Sequence, residues 1–500
     1  MNAHNKLRNW SSWLALATLI CLLSIVTYTF YFRLTLSLGP RVILQPWALQ
    51  LGYLTYENMI DQHSPLMPAL LSFFRPLIPD GLRLAKIALV ALLNLTAALV
   101  FCAGKRTHGW LTGLVSALFL VIWLPVFVAG KLWHETFLAP LYVLLFMLYD
   151  PYASRWCTKS LIAAGVIGGV SILVKQQAVV VFSGFILWCA LTQWHARSPI
   201  VRIVRDSAII GIVATLPICL YLAFHYAQAG TLENLAYWTV TFNVSTDFRF
   251  LAAQAPTLDQ VRVVATALLL IPLAILLLFD LKKKGDDGWL RIGCALVLLA
   301  TSSLTAYPRF GYFHLLPILP TLAWLSAATV TSTLPQLSLN SAAHLRSLFV
   351  AGSIIASIFF SLMTAQPSYA NALTSSAPRK IWEYSDLDPL AQEIRQHIGP
   401  GDCFFIFPDD EATANLYYLT QCLPPKFWSF SYPWYMLPWT REKLIMTLED
   451  DPPLWVVHFP GRWKIDDYAP DIMNYIQRNY QRSAELQWAQ GTALLLIRNR

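Results

Sequence analysis

The sequence predicts a mainly α-helical, polytopic membrane protein with a smaller α/β domain at its C-terminal end. Three observations predict it. Of the 500 residues, 56% are hydrophobic and 13% charged, with a mean hydropathy of +0.50. Soluble domains carry about 25% charged residues, so this balance belongs to a membrane. Apolar runs recur through the first 365 residues, and the composition then changes: residues 366–500 hold 12 Lys+Arg against 16 Asp+Glu. The remainder holds 24 against 12, so the basic excess lies in membrane-flanking loops and argues against nucleic-acid binding.

About eleven runs are apolar enough to enter a bilayer: 13–32, 87–104, 110–128, 137–149, 161–174, 178–191, 208–224, 264–279, 292–306, 315–330 and 348–363. The first follows Lys6 and Arg8 and lacks a small-residue cleavage site before Arg33, which predicts a retained signal-anchor helix. Lys and Arg orient the set. Lys105/Arg106, Arg155/Lys159, Arg197/Arg202/Arg205, Lys282–Lys284 with Arg291, and Arg346 fall on alternate connections, which predicts a cytoplasmic N-terminus and an outer C-terminal domain. The expected division is a transmembrane domain over 1–365, with a first external loop at 33–86, and an extracytoplasmic α/β domain over 366–500. Residues 65–77, apolar and bracketed by prolines and Arg75, predict a helix lying along the membrane surface.

In the tail, 404–407, 455–457 and 493–497 read as buried strands, and 390–398, 441–448 and 469–480 as helices. Six cysteines lie in or beside apolar runs and read as small core hydrophobes. Cys403 and Cys422 stand apart in the tail and are placed to form a disulfide if it lies outside. No metal-ligand spacing, phosphate loop, dinucleotide motif or nucleophile elbow occurs, so no cofactor is implied, and a divalent-metal requirement stays open.

The chemistry concentrates in outer connections. Residues 52–68 form a polar island after the first span, with Glu57, Asp61 and His63 within seven residues. Ionisable groups beside a bilayer are costly and mark function. If the island is helical, Glu57 and Asp61, four residues apart, share one face and can act as a general base. A solvated loop is the bland alternative. Glu135 opens a span beside Lys131 and His134, where a carboxylate also suits the helix dipole. Lys175 follows fourteen uncharged residues; it either snorkels to the interface or meets a lipid phosphate. Arg309 and His314 share one short connection, and an Arg grips phosphate through two parallel bonds. Asp247 and Arg249 are weaker candidates, and Asn243-Val244-Ser245 fits a glycosylation sequon.

Several motifs resemble, in order, the C-type membrane glycosyltransferases, in the branch of protein O-mannosyltransferases and aminoarabinose lipid A transferases. Gly52-Tyr-Leu-Thr-Tyr56 with His63-Ser-Pro-Leu66 resembles the element after the first span. Glu135 is similar to the acidic residue of the second external loop, and Val174-Lys-Gln-Gln177 to an element ending the fifth span. Tyr307-Pro-Arg-Phe310 with His314-Leu-Leu-Pro-Ile-Leu-Pro320 resembles one before a late span.

The resemblance implies a GT-C fold and transfer of a sugar from a polyprenyl phosphate to an acceptor hydroxyl on a glycolipid, polysaccharide or protein, with inversion, at the outer face of a bacterial-type inner membrane. It implies Asp61, Glu57 or Glu135 as base, and Lys175, Arg309, His314, His63 and Tyr56 on the donor-phosphate or substrate side. Where the family carries an Asp about a dozen residues before Gly52, the stretch 38–47 has no carboxylate, and Asn58 replaces another Asp. The other readings are a transporter or flippase for lipid-linked sugars, and a non-catalytic glycolipid-binding subunit.

Overall fold

The computed structural model describes residues 36–128, 131–149, 157–244, 257–268, 288–306, 312–333, 382–399 and 401–499, with position 17 and scattered positions in 274–279 and 351–370. The chain divides into two compact units. One comprises Met1–Leu34, Ile87–Tyr221 and Ala253–Arg379; the other comprises Thr35–Lys86, Leu222–Ala252 and Lys380–Arg500.

The first unit is helical. Among the described residues, five stretches are long and apolar enough to cross a membrane: Gly81–His108, Ala178–His195, Ile200–Ala229, Gly288–Thr305 and His314–Ser332. Trp110–Leu124, His134–Leu148 and Thr158–Val174 are apolar but shorter. The expected total of about eleven needs runs such as 13–32, which lies outside the described residues apart from position 17. Helices distant in sequence pair in space. Trp110–Val128 packs on Leu319–Thr333, and Ala178–His195 on Gly288–Thr305.

Glycines set the closest approaches. Thr158–Val174 carries Gly165, Gly168 and Gly169. A Cβ on Gly168 would sit 2.1 Å from the Phe182 ring, and one on Gly169 2.2 Å from the Ala214 carbonyl oxygen. Lipid offers no hydrophobic drive for helices to associate, so small residues that let backbones meet supply the packing. Gly169→Leu should therefore destabilise the purified protein by at least the 1–3 kcal/mol typical of overpacking, read as a lowered unfolding midpoint. Gly211→Ala, where nothing lies within 4 Å of the new atom, should leave the midpoint unchanged.

The second unit is built on a four-stranded sheet of order β1-β2-β4-β3, with β1 Phe404–Phe407, β2 Trp455–His458, β3 Tyr480–Trp488 and β4 Gly491–Arg498. β1 and β2 are parallel; β4 runs antiparallel to both neighbours. Three strands and three helices fall where the sequence places them, the helices being Leu387–His397, Pro438–Asp450 and Pro470–Asn479. β3 was not foreseen. It is a mostly exposed edge strand with an irregularity between Arg482 and Ala484, so it carries no apolar run to announce it. Cys403 and Cys422, placed to pair if the tail lies outside, are both free in the structure. The Phe404 N–H donates to Cys422 Sγ at 3.3 Å.

The island belongs to this second unit. Ile60 N–H donates to the Trp428 carbonyl at 2.9 Å, and Trp428 N–H to that of Asn58 at 2.8 Å. The segment expected to be helical forms the helix Leu66–Phe74, with Phe73 73% exposed and Leu77 beyond it 76% exposed. Past β1, Asp409 is buried and accepts from Trp428 Nε1 at 2.5 Å, Ser431 Oγ at 2.9 Å and Ser431 N–H at 3.0 Å. Burial outweighs these donors and, with the neighbouring Asp410 charge, pushes its carboxyl from 3.8 up to about 7.

The folded form thus holds this proton more tightly than the unfolded chain does. The associated stability is full below pH 3.8 and is lost as pH rises to about 7. Asp409→Asn should flatten the fall in unfolding midpoint across that window, measured by thermal melts at stepped pH.

Candidate functional site

The predicted residues gather into two clusters, one within each unit. In the first unit, Glu135 stands in the opening turn of helix His134–Leu148, where a carboxylate meets the positive end of the dipole. Lys175 closes helix Thr158–Val174 in extended conformation, its N–H returning to the Ser171 carbonyl. His314 sits in the 3-10 turn Tyr312–Ile318. Glu135 Oε1 accepts from Lys175 Nζ and from His314 Nδ1, each at 2.5 Å, and the two nitrogens are 3.5 Å apart.

This carboxylate is 1% exposed, and the Lys175 and His314 side chains are at most 10% exposed. Its second oxygen, Oε2, is buried and has no hydrogen-bond partner among the described residues; neither has the buried Tyr142 hydroxyl, two turns along the same helix face. Buried polar atoms are nearly always satisfied, so two orphans beside one ionic cluster make it a candidate ligand site. Lys131, which shares the loop, lays its ammonium over the Trp133 ring at 4.9 Å.

In the second unit, the island is a turn, not a helix. Tyr56 adopts φ 75 and a bridge joins Thr55 to Met59, so Glu57 and Asp61 do not share a face. They have different partners. Asp61 Oδ2 accepts from Arg41 Nε at 2.7 Å and Gln45 Nε2 at 3.1 Å; Oδ1 accepts from the His63 N–H at 3.0 Å and pairs with His63 Nδ1 at 2.8 Å. Four donors fill a carboxylate's acceptor capacity. Tyr56, fully buried, donates its hydroxyl to the His63 carbonyl at 2.7 Å. Glu57 Oε2 instead accepts from Asn234 Nδ2 at 2.6 Å, with His225 Nε2 3.8 Å from its other oxygen.

Arg41 was missed by sequence reading, although it is the sole charge between Arg33 and Glu57. It is buried and reaches Tyr435 and, at 3.9 Å, Glu411. Burial opposes its charge, but Asp61, Tyr435 and Glu411 outweigh that and raise its pKa. Arg309, Asp247 and Arg249 lie outside the described residues. Asn243 spends its side-chain amide on the carbonyls of Gln62, Trp238 and Thr239, which leaves it poorly disposed to carry a glycan. Among the described residues, no group of three His, Cys, Asp or Glu is placed to hold a metal ion.

Removing one member of a buried ion pair strands the other's charge. Arg41→Met should lower stability by about 3–5 kcal/mol, and adding Asp61→Asn should recover most of it. Unfolding midpoints of the single and double variants measure this; equal losses in both would refute the pairing.

No protein-family model matches the chain, and no curated protein matches it by sequence. Solved structures do. ArnT from Cupriavidus metallidurans, bound to undecaprenyl phosphate, superposes with a TM-score of 0.59 at 12% identity, covering 96% of this chain and 97% of that one. Its apo state gives 0.59 at 10% identity, covering 98% of each. The archaeal oligosaccharyltransferase AglB from Archaeoglobus fulgidus, with an inhibitory peptide and a dolichol-phosphate, gives 0.57 at 11%, covering 97% of this chain and 74% of that one. The chain has the GT-C fold shared by these proteins.

Proposed function

We propose that this chain is an integral-membrane glycosyltransferase. It takes a sugar from a polyprenyl-phosphate donor and passes it, with inversion, to a hydroxyl of a glycolipid, polysaccharide or protein at the outer face of the cytoplasmic membrane. The observation that carries the reading is the buried Glu135–Lys175–His314 cluster with its unspent carboxylate oxygen, in a chain whose fold neighbours include ArnT bound to undecaprenyl phosphate. A flippase also needs cations for a phosphate, but it has no use for a carboxylate oxygen left without a donor.

In the proposed step the acceptor oxygen attacks the anomeric carbon while its proton passes to Glu135 Oε2. The bond from that carbon to the phosphate oxygen breaks, and polyprenyl phosphate leaves with the additional negative charge. Lys175 and His314 meet that charge. The arrangement couples the two events. As Glu135 takes the proton it becomes neutral, its hold on Lys175 weakens, and the ammonium is released toward the phosphate. Charge moves across the site, with no net charge added to an apolar interior. Asp61, whose oxygens already serve four donors, shapes the island in this scheme, and Glu57 ties the island to Asn234.

The test supplies purified protein in lipid nanodiscs with undecaprenyl-phosphate hexoses and pentoses labelled in the sugar, and membrane glycolipid as acceptor. The expected result is labelled glycolipid and free undecaprenyl phosphate. Glu135→Gln and Lys175→Ala should each lower kcat about 10²–10³-fold, the usual effect of deleting one transition-state contact. Consumption of no donor would overturn the transferase reading; full activity in Glu135→Gln would overturn the base.

A further inference from the structure

We propose that the second unit carries a saccharide-binding corner at the C-terminal ends of β1 and β2, built on Trp463 and Tyr432, and that its occupant is a pyranose ring of the acceptor glycan. The two parallel strands end side by side at Phe407 and His458, so the loops that follow emerge from one edge of the sheet. Ligands of α/β sheets collect outside the carboxyl ends of parallel strands. Here the loop after β1 brings Asp410 and Glu411, and the loop after β2 brings Arg462 and Trp463.

Trp463 is the anomaly. It adopts φ 60, Lys464 after it φ 49 and Gly461 before it φ 70. Two consecutive non-glycine residues in the left-handed region carry strain that the surroundings must hold in place. The strain does not bury the indole, which is 44% exposed. A buried post enforces the pose: Asp410 Oδ2 accepts from Trp463 Nε1 at 2.9 Å and from Arg462 Nε at 2.7 Å. Burial alone would raise the Asp410 carboxyl, but Arg462, Trp463 and the Thr413 N–H outweigh it and lower it, so the post stays ionised. Against the indole stands Tyr432, perpendicular to it at 82° and 5.0 Å between centroids, itself stacked on Trp434 at 4.7 Å.

The rim selects the ligand. The Tyr432 hydroxyl accepts from the Glu411 N–H at 3.2 Å, which keeps its own proton available to donate, and the Glu411 carboxylate is partly exposed. An exposed aromatic face with a phenol and a guanidinium beside it, and a partly exposed carboxylate on the loop after β1, matches a sugar ring, with its C–H face and vicinal hydroxyls that both donate and accept. A phosphate or other anion would meet the Glu411 charge. Saccharide binding stands by itself; naming the saccharide as acceptor rests on the transferase reading.

The experiment uses the full chain in nanodiscs and saturation-transfer NMR titration with gluco-, manno- and N-acetylglucosamine trisaccharides. At least one should bind. Trp463→Ala should weaken it about tenfold, the scale of one lost stacking ring, while Trp463→Phe, which keeps a ring, stays within about threefold. Glu411→Gln should weaken binding, with the unfolding midpoint measured alongside because Glu411 lies 3.9 Å from the buried Arg41. No binding of any trisaccharide, or equal binding by wild type, Trp463→Ala and Glu411→Gln, overturns the site. Trisaccharide binding without consumption of any labelled undecaprenyl-phosphate donor would overturn the transferase reading and leave the site standing.

Discussion

A carboxylate that is 1% exposed cannot stay ionised in an apolar bundle without partners, and Glu135 has two that meet on a single oxygen. That sharing is the constraint on which the first unit's site depends. It draws the start of one helix, the end of another and a 3-10 turn to one point. It also sets an asymmetry, because Lys175 and His314 both face Oε1 and Oε2 is left with no donor among the described residues. A purely structural ion cluster would have spread its donors over both oxygens, since an unmet buried acceptor costs about 1–3 kcal/mol.

The second unit solves the opposite problem. Two of its carboxylates are filled: Asp61 by Arg41, Gln45 and His63, and Asp410 by Arg462, Trp463 and the turn that follows it. Filled carboxylates are good posts and poor bases. Arg41 matters here because it stands in the stretch where the resembled family keeps an Asp. A cation there changes what Asp61 can do, from proton acceptor to fixed anion that orients His63 and closes the island.

How much of this could be read from sequence follows from what each feature depends on. Apolar runs and the three buried strands are local patterns, and they were legible. Glu135, Lys175 and His314 could each be singled out because each is an ionisable residue at the edge of an apolar run, although their convergence on one oxygen was not legible. Arg41 was visible as a lone charge but unread, since its meaning lies in a partner twenty residues away. The island failed as a helix because Tyr56 takes a left-handed conformation, which no sequence period signals. β3 failed because an exposed edge strand carries no hydrophobic alternation.

The left-handed residues sort themselves by what compensates them. Tyr56 is buried, donates to the His63 carbonyl and packs edge-on against His225 at 5.9 Å, so its strain is absorbed inside the fold and serves to hold the island. Trp463 has one hydrogen bond to a buried post and remains 44% exposed. Holding a large ring in an unfavourable backbone and leaving it wet adds two costs that packing does not offset. A binding role explains why both persist: the post fixes the ring before the ligand arrives, so less ordering entropy is lost when it does. The same logic separates the two ionic clusters. Asp61, with four donors, is part of the frame, whereas in the proposed transferase Glu135 keeps one oxygen for the acceptor proton.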